Sequence, residues 1–390
     1  MKQVYIIDYI RTPIAKFQGG LSEVRADDLA AIVLKEIVKR NPQIPAEEIE
    51  DVILGCANQA GEDNRNVARM ASLLAELPIK IGGETVNRLC ASGMAAIANA
   101  YRAIAIGEGD FYIAGGVEQM TRAPYVLSKS AQPFGRDVQL FDSSFGWRFV
   151  NPKMKELYGV DGMGETAENL AEIYKISREA QDEFALLSQQ KATSAQNSGR
   201  LAQEIVKVEI PQKKGEPKIF SQDEFVKPDT TLDKLAKLRP AFKKEGGSVT
   251  AGNSSGLNDG AAAMILASED AVKKYNLKPL AKIISSAVVG VEPRIMGIGP
   301  VEATKKALSR ANLSLEDMDI IELNEAFAAQ ALSVLQELGI DAKDERLNPN
   351  GGAIALGHPL GMSGTRIVGT AALELQKKNK KYALCTLCIG

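Results

Sequence analysis

The chain has 390 residues, 45% hydrophobic and 25% charged, with a formal net charge of −2. That is the balance of a globular protein long enough for two core-sized units or one duplicated fold, and it offers no electrostatic footprint for nucleic acid or an anionic membrane. One histidine excludes a histidine-rich metal site, and four cysteines are too few for a disulfide framework, so a reducing, cytoplasmic setting is expected.

The N-terminus opens on a strand-like Val4-Tyr5-Ile6-Ile7, which leaves no room for a signal peptide, and no apolar stretch is read as a membrane span of roughly 20 residues. Helical periodicity follows at 26–40, a buried strand at 52–54, a helix at 92–106 and a strand at 111–114. From about 121 to 247 the chain turns richer in charge, Gln, Ser and Pro. It carries one amphipathic helical stretch, 166–197, with a capping box read at Ser177-Arg178-Glu179-Ala180. This segment, which holds Trp147, reads as an insertion over the first unit. A small-residue loop, 252–260, precedes a strand at 261–267. Helices at 300–310, 326–338 and 363–376 then alternate with strands at 320–323 and 382–387. The alternation predicts an α/β fold.

The two ends resemble each other. Val86-Asn87-Arg88-Leu89-Cys90-Ala91-Ser92-Gly93-Met94 leads into a helix and a strand before Gly115-Gly116. Leu347-Asn348-Pro349 leads through a glycine loop and Gly361-Met362-Ser363-Gly364 into a helix and a strand ending at Cys388-Ile389-Gly390. Two copies of one unit are expected: 1–120 with 248–270 as the first, 271–390 as the second, and 121–247 inserted in the first.

His358 is the one place for imidazole acid–base chemistry. It lies in Gly351–Gly364, just before a helix, with Pro359 suited to the first helical turn. Cys90 precedes the helix near Ser92, where backbone N–H groups and the helix dipole lower a thiol pKa; a small buried apolar role is equally open. Cys385 and Cys388 form Cys-x-x-Cys on a strand, where residues three apart face opposite ways and do not bridge. Asn324, at a strand end, reads as a helix cap that could also hold a water or carbonyl. No Walker, Rossmann or metal-ligand spacing is present.

Four blocks together, Cys90-Ala91-Ser92, Asn324-Glu325-Ala326-Phe327, Gly357-His358-Pro359 and Cys388-Ile389-Gly390, resemble the thiolases over essentially the whole chain. The resemblance implies a duplicated five-layer αβαβα fold with an inserted loop domain. It implies CoA-dependent cleavage of 3-oxoacyl-CoA to acetyl-CoA and a shortened acyl-CoA, or the reverse condensation, through an acyl-cysteine. It makes Cys90 the nucleophile, His358 its base, Asn324 the holder of an oxyanion-binding water and Cys388 the second acid/base. The N–H groups of Cys90 and Gly390 become the second oxyanion hole. Ser255 would meet the CoA arm; Met163, Phe242, Ala251, Met296 and Phe327 would line the tunnel; Lys227 would contact a phosphate. CoA is a substrate, no metal or other cofactor is implied, and a homodimer or homotetramer is expected.

The segment Phe141–Pro152 looks most like the branch acting on 3-oxoadipyl-CoA, whose distal carboxylate would want a cation such as Arg148, Lys153 or Lys155; medium-chain 3-oxoacyl-CoA is the neighbouring possibility. Acetoacetyl-CoA-specialised members often carry a histidine where this chain has Gly162. Related ketosynthases lack a second cysteine placed like Cys388. The family continues past Cys-Ile-Gly with a final strand, so the second unit is expected to lack one, and an impaired acyl-CoA-binding protein of this fold is the alternative of another class.

Overall fold

The computed structural model describes residues 1–390. Its centre is a seven-stranded sheet. Across it run Ala281–Lys282, Val4–Arg11, Asn258–Ser268, Phe111–Gln119, Ile49–Gly55 and Glu84–Val86, with Ala15–Lys16 beside Asn258–Ser268. Val4–Arg11, Asn258–Ser268 and Phe111–Gln119 pair antiparallel; Ile49–Gly55 is parallel to Phe111–Gln119 and to Glu84–Val86. Every residue of the two central strands is buried, as their unbroken small and apolar runs require. Ala281–Lys282, read from the sequence as second-unit chain, closes the first unit's sheet.

Five layers result. Helices Ala26–Arg40 and Val67–Leu74 cover one face of the sheet, with Leu29, Val33, Leu34 and Ile37 pointing inward at helical spacing. Ser92–Ile106 and Leu360–Lys378 cover the other. The 18 residues from Leu89 to Ile106 are apolar enough to pass for a membrane span, but they form this central layer and are mostly buried. Behind them lie the parallel strands Ile320–Leu323 and Ala383–Thr386, then the outer helices Gly299–Ala311 and Ala328–Leu338. The central layer packs tightly: a Cβ on Gly116 would stand 1.9 Å from the Gly361 carbonyl oxygen, so no side chain fits there.

The second unit is less regular. Only Ile320–Leu323 and Ala383–Thr386 are hydrogen-bonded into its sheet. Residues 280–291 and 380–390 line a largely apolar cavity of about 1040 Å³.

The inserted segment holds two small hairpins and four helices: Pro152–Tyr158, Met163–Ile173, Arg178–Asn197 and Leu232–Ala236. The expected single helix over 166–197 is therefore two. The chain breaks at Tyr174–Ser177, where Lys175 adopts φ 54° and Ser177 starts a new helix by accepting from the Ala180 N–H at 3.2 Å. Ser177 caps alone, because Ala180 stands where a capping box needs Glu or Gln. The insertion is fixed by buried ion pairs: Arg11 meets Asp223 at 2.7 and 2.9 Å and Glu204 at 2.7 Å, while Arg200 meets Glu204 at 3.1 Å and also Glu374.

Candidate active site

Cys90 sits on a single 3₁₀ turn, Leu89–Ala91, wedged between Glu84–Val86 and the helix from Ser92. The turn is strained at Leu89, which takes φ 45°. Its neighbours hold it there. The Leu89 N–H donates to Asn87 Oδ1 (2.9 Å), Ser92 Oγ accepts from the Arg88 N–H (2.9 Å) and donates to the Leu89 carbonyl (2.7 Å). The sulfur is buried, and burial pushes the thiol up to about 11, against the pull of the Gly390 and Cys90 N–H groups that reach it. The expected lowering by the helix start is thus outweighed: two amide donors do not offset the loss of water.

His358 is buried just ahead of Leu360–Lys378, with Pro359 at the N-cap rather than in the first turn. Its backbone N–H donates to Asn258 Oδ1 (2.9 Å), and its Nδ1 lies 2.6 Å from Ser363 Oγ. Ser363 Oγ already donates to the Pro359 carbonyl at 2.9 Å, so toward the ring it accepts. The proton is therefore on Nδ1 and Nε2 is bare. Burial, and after it the Arg366 guanidinium, push the imidazole down to about 3, so it is neutral at physiological pH. Asn324 Nδ2 lies 3.5 Å from Nε2. Asn324 does not cap a helix, which begins at Ala328 with Phe327 as its N-cap; its Oδ1 is buried without a partner. A fully buried orphan oxygen beside a bare imidazole nitrogen is a seat for water or a substrate oxygen.

Cys388 lies just past Ala383–Thr386 and is buried; burial, then the neighbouring Cys90, push its thiol well up. It packs in one apolar cluster with Met163, Met296, Phe327, Ala326 and Val249. Gly390 closes that cluster: a Cβ there would stand 2.3 Å from Met163 Sδ and 2.8 Å from Met296 Cε. Phe242 stacks edge-on against Phe327 with centroids 6.0 Å apart. Cys385 stays apart from Cys388, its thiol toward the Ile367 carbonyl at 3.6 Å, and all four cysteines are free.

Met163, Met296, Cys388 and Gly390 line the large cavity; Ser255, Phe242, Ala251 and Phe327 do not. Ser255 donates through both N–H (2.9 Å) and Oγ (3.0 Å) to the Ala326 carbonyl, and Ala251 is exposed on the preceding turn. Lys227 lines a separate polar hollow with Gln189 and Thr230; its Nζ lies 4.9 Å over the Phe225 ring, which abuts Gly256 beside Ser255.

Family models place this arrangement. The thiolase N-terminal domain matches residues 4–270 and the thiolase C-terminal domain residues 277–390. The chain belongs to the thiolase family. It is 59% identical over 390 residues to a 3-oxoadipyl-CoA/3-oxo-5,6-dehydrosuberyl-CoA thiolase of Escherichia coli K12, covering all of this chain and 97% of that one. It is 48% identical to an acetyl-CoA acetyltransferase of Chromobacterium violaceum, with 100% and 97% covered. Human mitochondrial 3-ketoacyl-CoA thiolase in complex with CoA superposes with a TM-score of 0.90 at 41% identity, with 100% and 95% covered.

This thiolase is an acyltransferase that uses CoA, and its duplicated fold with an inserted loop domain is the one expected. Among the supporting residues, Ser363, Asn258 and Glu118 carry no role that the sequence assigns, although Ser363 and Asn258 lie in segments it marks. Only Ser363 had a local signal, a hydroxyl in the first turn of the helix behind His358. Of the cations expected to meet a distal carboxylate, Arg148 is half-buried and points at the Ser143 carbonyl (3.5 Å), while Lys153 and Lys155 are exposed on the helix Pro152–Tyr158.

Proposed function

We propose that this thiolase cleaves 3-oxoadipyl-CoA with CoA, releasing acetyl-CoA and the four-carbon dicarboxylic acyl-CoA. Cys90 gives its proton to His358 Nε2 and attacks the 3-oxo carbon. The resulting oxyanion takes the N–H groups of Cys90 and Gly390. The C2–C3 bond breaks, and its electron pair forms the acetyl-CoA enolate, whose oxygen is met by protonated His358 and the water seated at Asn324. Cys388 protonates the enolate carbon; its thiolate then takes the proton of the incoming CoA thiol, which attacks the acyl-Cys90, and the Cys90 sulfur leaves and recovers its proton from His358.

The observation that carries this reading is the burial of the Cys90 thiol in one cluster with Leu387 and Ile389, the residues on either side of Cys388, where the Gly390 N–H and the Cys388 thiol both act on it. For the substrate, support comes from 59% identity to the E. coli thiolase against 48% to the acetyltransferase, from Gly162, and from Arg148, a half-buried guanidinium with no carboxylate partner. A cytoplasmic setting is in keeping with four free thiols. A homodimer or homotetramer is in keeping with the exposed Tyr125, Leu127, Phe134 and Leu140 of the insertion.

The test is CoA-dependent cleavage of acetoacetyl-CoA, a longer linear 3-oxoacyl-CoA and 3-oxoadipyl-CoA side by side. A preference for 3-oxoadipyl-CoA is expected. Preference for acetoacetyl-CoA would make the enzyme an acetyltransferase, and no turnover of any would favour an acyl-CoA-binding role.

A further inference from the structure

Glu118 is the acid that the chemistry above does not use. It lies near the end of the fully buried strand Phe111–Gln119 and is itself 1% exposed. No lysine, arginine or side-chain hydroxyl meets it. Its carboxylate instead accepts three backbone N–H groups: Ala57 at 3.0 Å, Asn58 at 3.0 Å and Gly361 at 2.8 Å. Burial raises it to about 7, against the pull of those three bonds. A buried carboxylate satisfied only by main chain is costly, the more so with the buried Asp63 carboxylate and Cys56 thiol within 4.8 Å, and the three amides it joins come from two different halves of the fold.

Each partner leads to one arm of the site. On one side the Ala57 carbonyl accepts from Asn87 Nδ2 (3.0 Å), and Asn87 Oδ1 accepts the Leu89 N–H (2.9 Å) of the strained turn that presents Cys90. On the other side Gly361 is in the first turn of Leu360–Lys378, between Pro359 and the Ser363 that fixes His358. That turn has no room to slide. Gly361 would place a Cβ 2.3 Å from the Val117 carbonyl oxygen and 2.6 Å from that of Gly55, and its own carbonyl crowds Gly93 at the start of the Cys90 helix. A hydrogen-bonded run from Leu89 through Asn87, Ala57 and Glu118 to Gly361 thus ties the two turns together.

We propose that Glu118 is a positioning residue for the thiolase reaction: by accepting from Ala57 and Asn58 on one side and from Gly361 on the other, it sets the placement of Cys90 relative to His358. The proposal rests on reading Cys90 as nucleophile and His358 as its base. Glu118 touches neither substrate nor the reacting atoms. Its acceptor oxygens hold main chain that carries the groups that do, and an error of about 1 Å between such groups costs on the order of 100-fold in rate.

The direct field of Glu118 and its positioning role push Cys90 in opposite directions, which makes them separable. The nearby negative charge raises the Cys90 thiol. Were the charge all that mattered, Glu118→Gln would make Cys90 react faster with iodoacetamide at pH 7. Positioning predicts the reverse, because the amide group of Gln presents N–H to N–H, pushes one amide away and moves the thiol off its base. The expected result for E118Q, in the full-length enzyme, is a kcat for thiolysis lowered about 10- to 100-fold, a KM for CoA within about twofold, and slower alkylation of Cys90 with its pH profile moved upward. Asn87→Ala, which cuts the relay near the surface and leaves Glu118 in place, should give the same pattern more weakly and decides the matter if E118Q does not fold. Unchanged kcat with equal or faster alkylation in E118Q, or wild-type kinetics in N87A, overturns the proposal. Cys90→Ala run alongside separates the two layers. Retained acyl labelling there sinks the nucleophile reading itself, whereas lost labelling with wild-type N87A kinetics sinks the role of Glu118 alone.

Discussion

Ser363→Ala is the sharpest probe of how the imidazole is prepared. In the native site Ser363 Oγ accepts from His358 Nδ1 at 2.6 Å and donates to the Pro359 carbonyl at 2.9 Å. Both groups are buried, so water does not replace the lost hydroxyl. An orphaned buried donor costs about 1–3 kcal/mol. The ring escapes that cost by moving its proton to Nε2, where the Asn324 amide, whose Nδ2 lies 3.5 Å away, turns over to present its unpartnered Oδ1 as acceptor. That tautomer has no lone pair for the Cys90 proton. With each 1.4 kcal/mol worth a factor of ten, the productive tautomer falls by roughly 10- to 100-fold, and kcat with it. The assay is steady-state thiolysis together with ¹⁵N NMR of the imidazole, unambiguous here because the chain has one histidine. The wild-type spectrum should show the proton on Nδ1 and the variant should show it on Nε2. A variant with kcat within twofold of wild type, or a wild-type ring protonated on Nε2, would refute the reasoning.

Three further outcomes follow from the same geometry. Cys90→Ala should abolish acyl-enzyme formation. Cys388→Ala should lose carbon–carbon cleavage but keep exchange of an acyl group between an acyl-CoA and Cys90, because in that exchange no enolate is protonated and His358 alone carries the proton between the two sulfurs; equal loss of both reactions in the Cys388 variant contradicts its separate role. His358 has a folded value of about 3, below its unfolded one near 6.5, so its contribution to stability is present above pH 6.5 and is lost as pH falls toward 3. Its ¹⁵N signals should therefore not titrate between pH 5 and 8, and a midpoint near 6.5 in the folded enzyme would show the site to be wet. Arg11→Met leaves Glu204 and Asp223 buried without their shared partner and should cost about 3–5 kcal/mol, read as a fall in the denaturation midpoint; an unchanged midpoint would mean that water reaches the pair.

Legibility in the sequence followed the range over which each signal acts. Cys90-Ala91-Ser92 and Gly357-His358-Pro359 could be read because a small-residue turn, a reactive side chain and a helix start lie within a few residues. The helix limits at Ala26–Arg40 and Ser92–Ile106 were equally local, fixed by terminal charges in one case and a glycine stop after Ile106 in the other. The break between Met163–Ile173 and Arg178–Asn197 was hidden because no Gly or Pro marks it; Lys175 takes the left-handed turn instead. Asn324 misled because a strand-end asparagine before a helical run is a cap by habit, and only packing shows that the helix waits until Ala328. Glu118 was invisible in Gly115-Gly116-Val117-Glu118-Gln119, since its partners are Ala57, Asn58 and Gly361.

The pKa directions carry a further step. Cys90, Cys388 and His358 are all pushed by burial toward their neutral forms, the thiols up and the imidazole down. The resting site therefore holds a thiol, a thiol and an imidazole rather than a thiolate–imidazolium pair, and a helix start beneath Cys90 is not enough to change that. Charge arises only when the Cys90 proton moves to Nε2 as the carbonyl is attacked, and the negative end of that charge passes at once to the substrate oxygen. The groups that receive it are already fixed: the N–H groups of Cys90 and Gly390 on one side and the unpartnered polar corner at Asn324 on the other. A site neutral at rest and polar only along the reaction favours the transition state over the bound substrate, which is what raises kcat rather than binding alone. It also leaves little to attract stray electrophiles, so alkylation of Cys90 in the free enzyme should depend on how well His358 is aimed, and Ser363 and Glu118 are the residues that aim it.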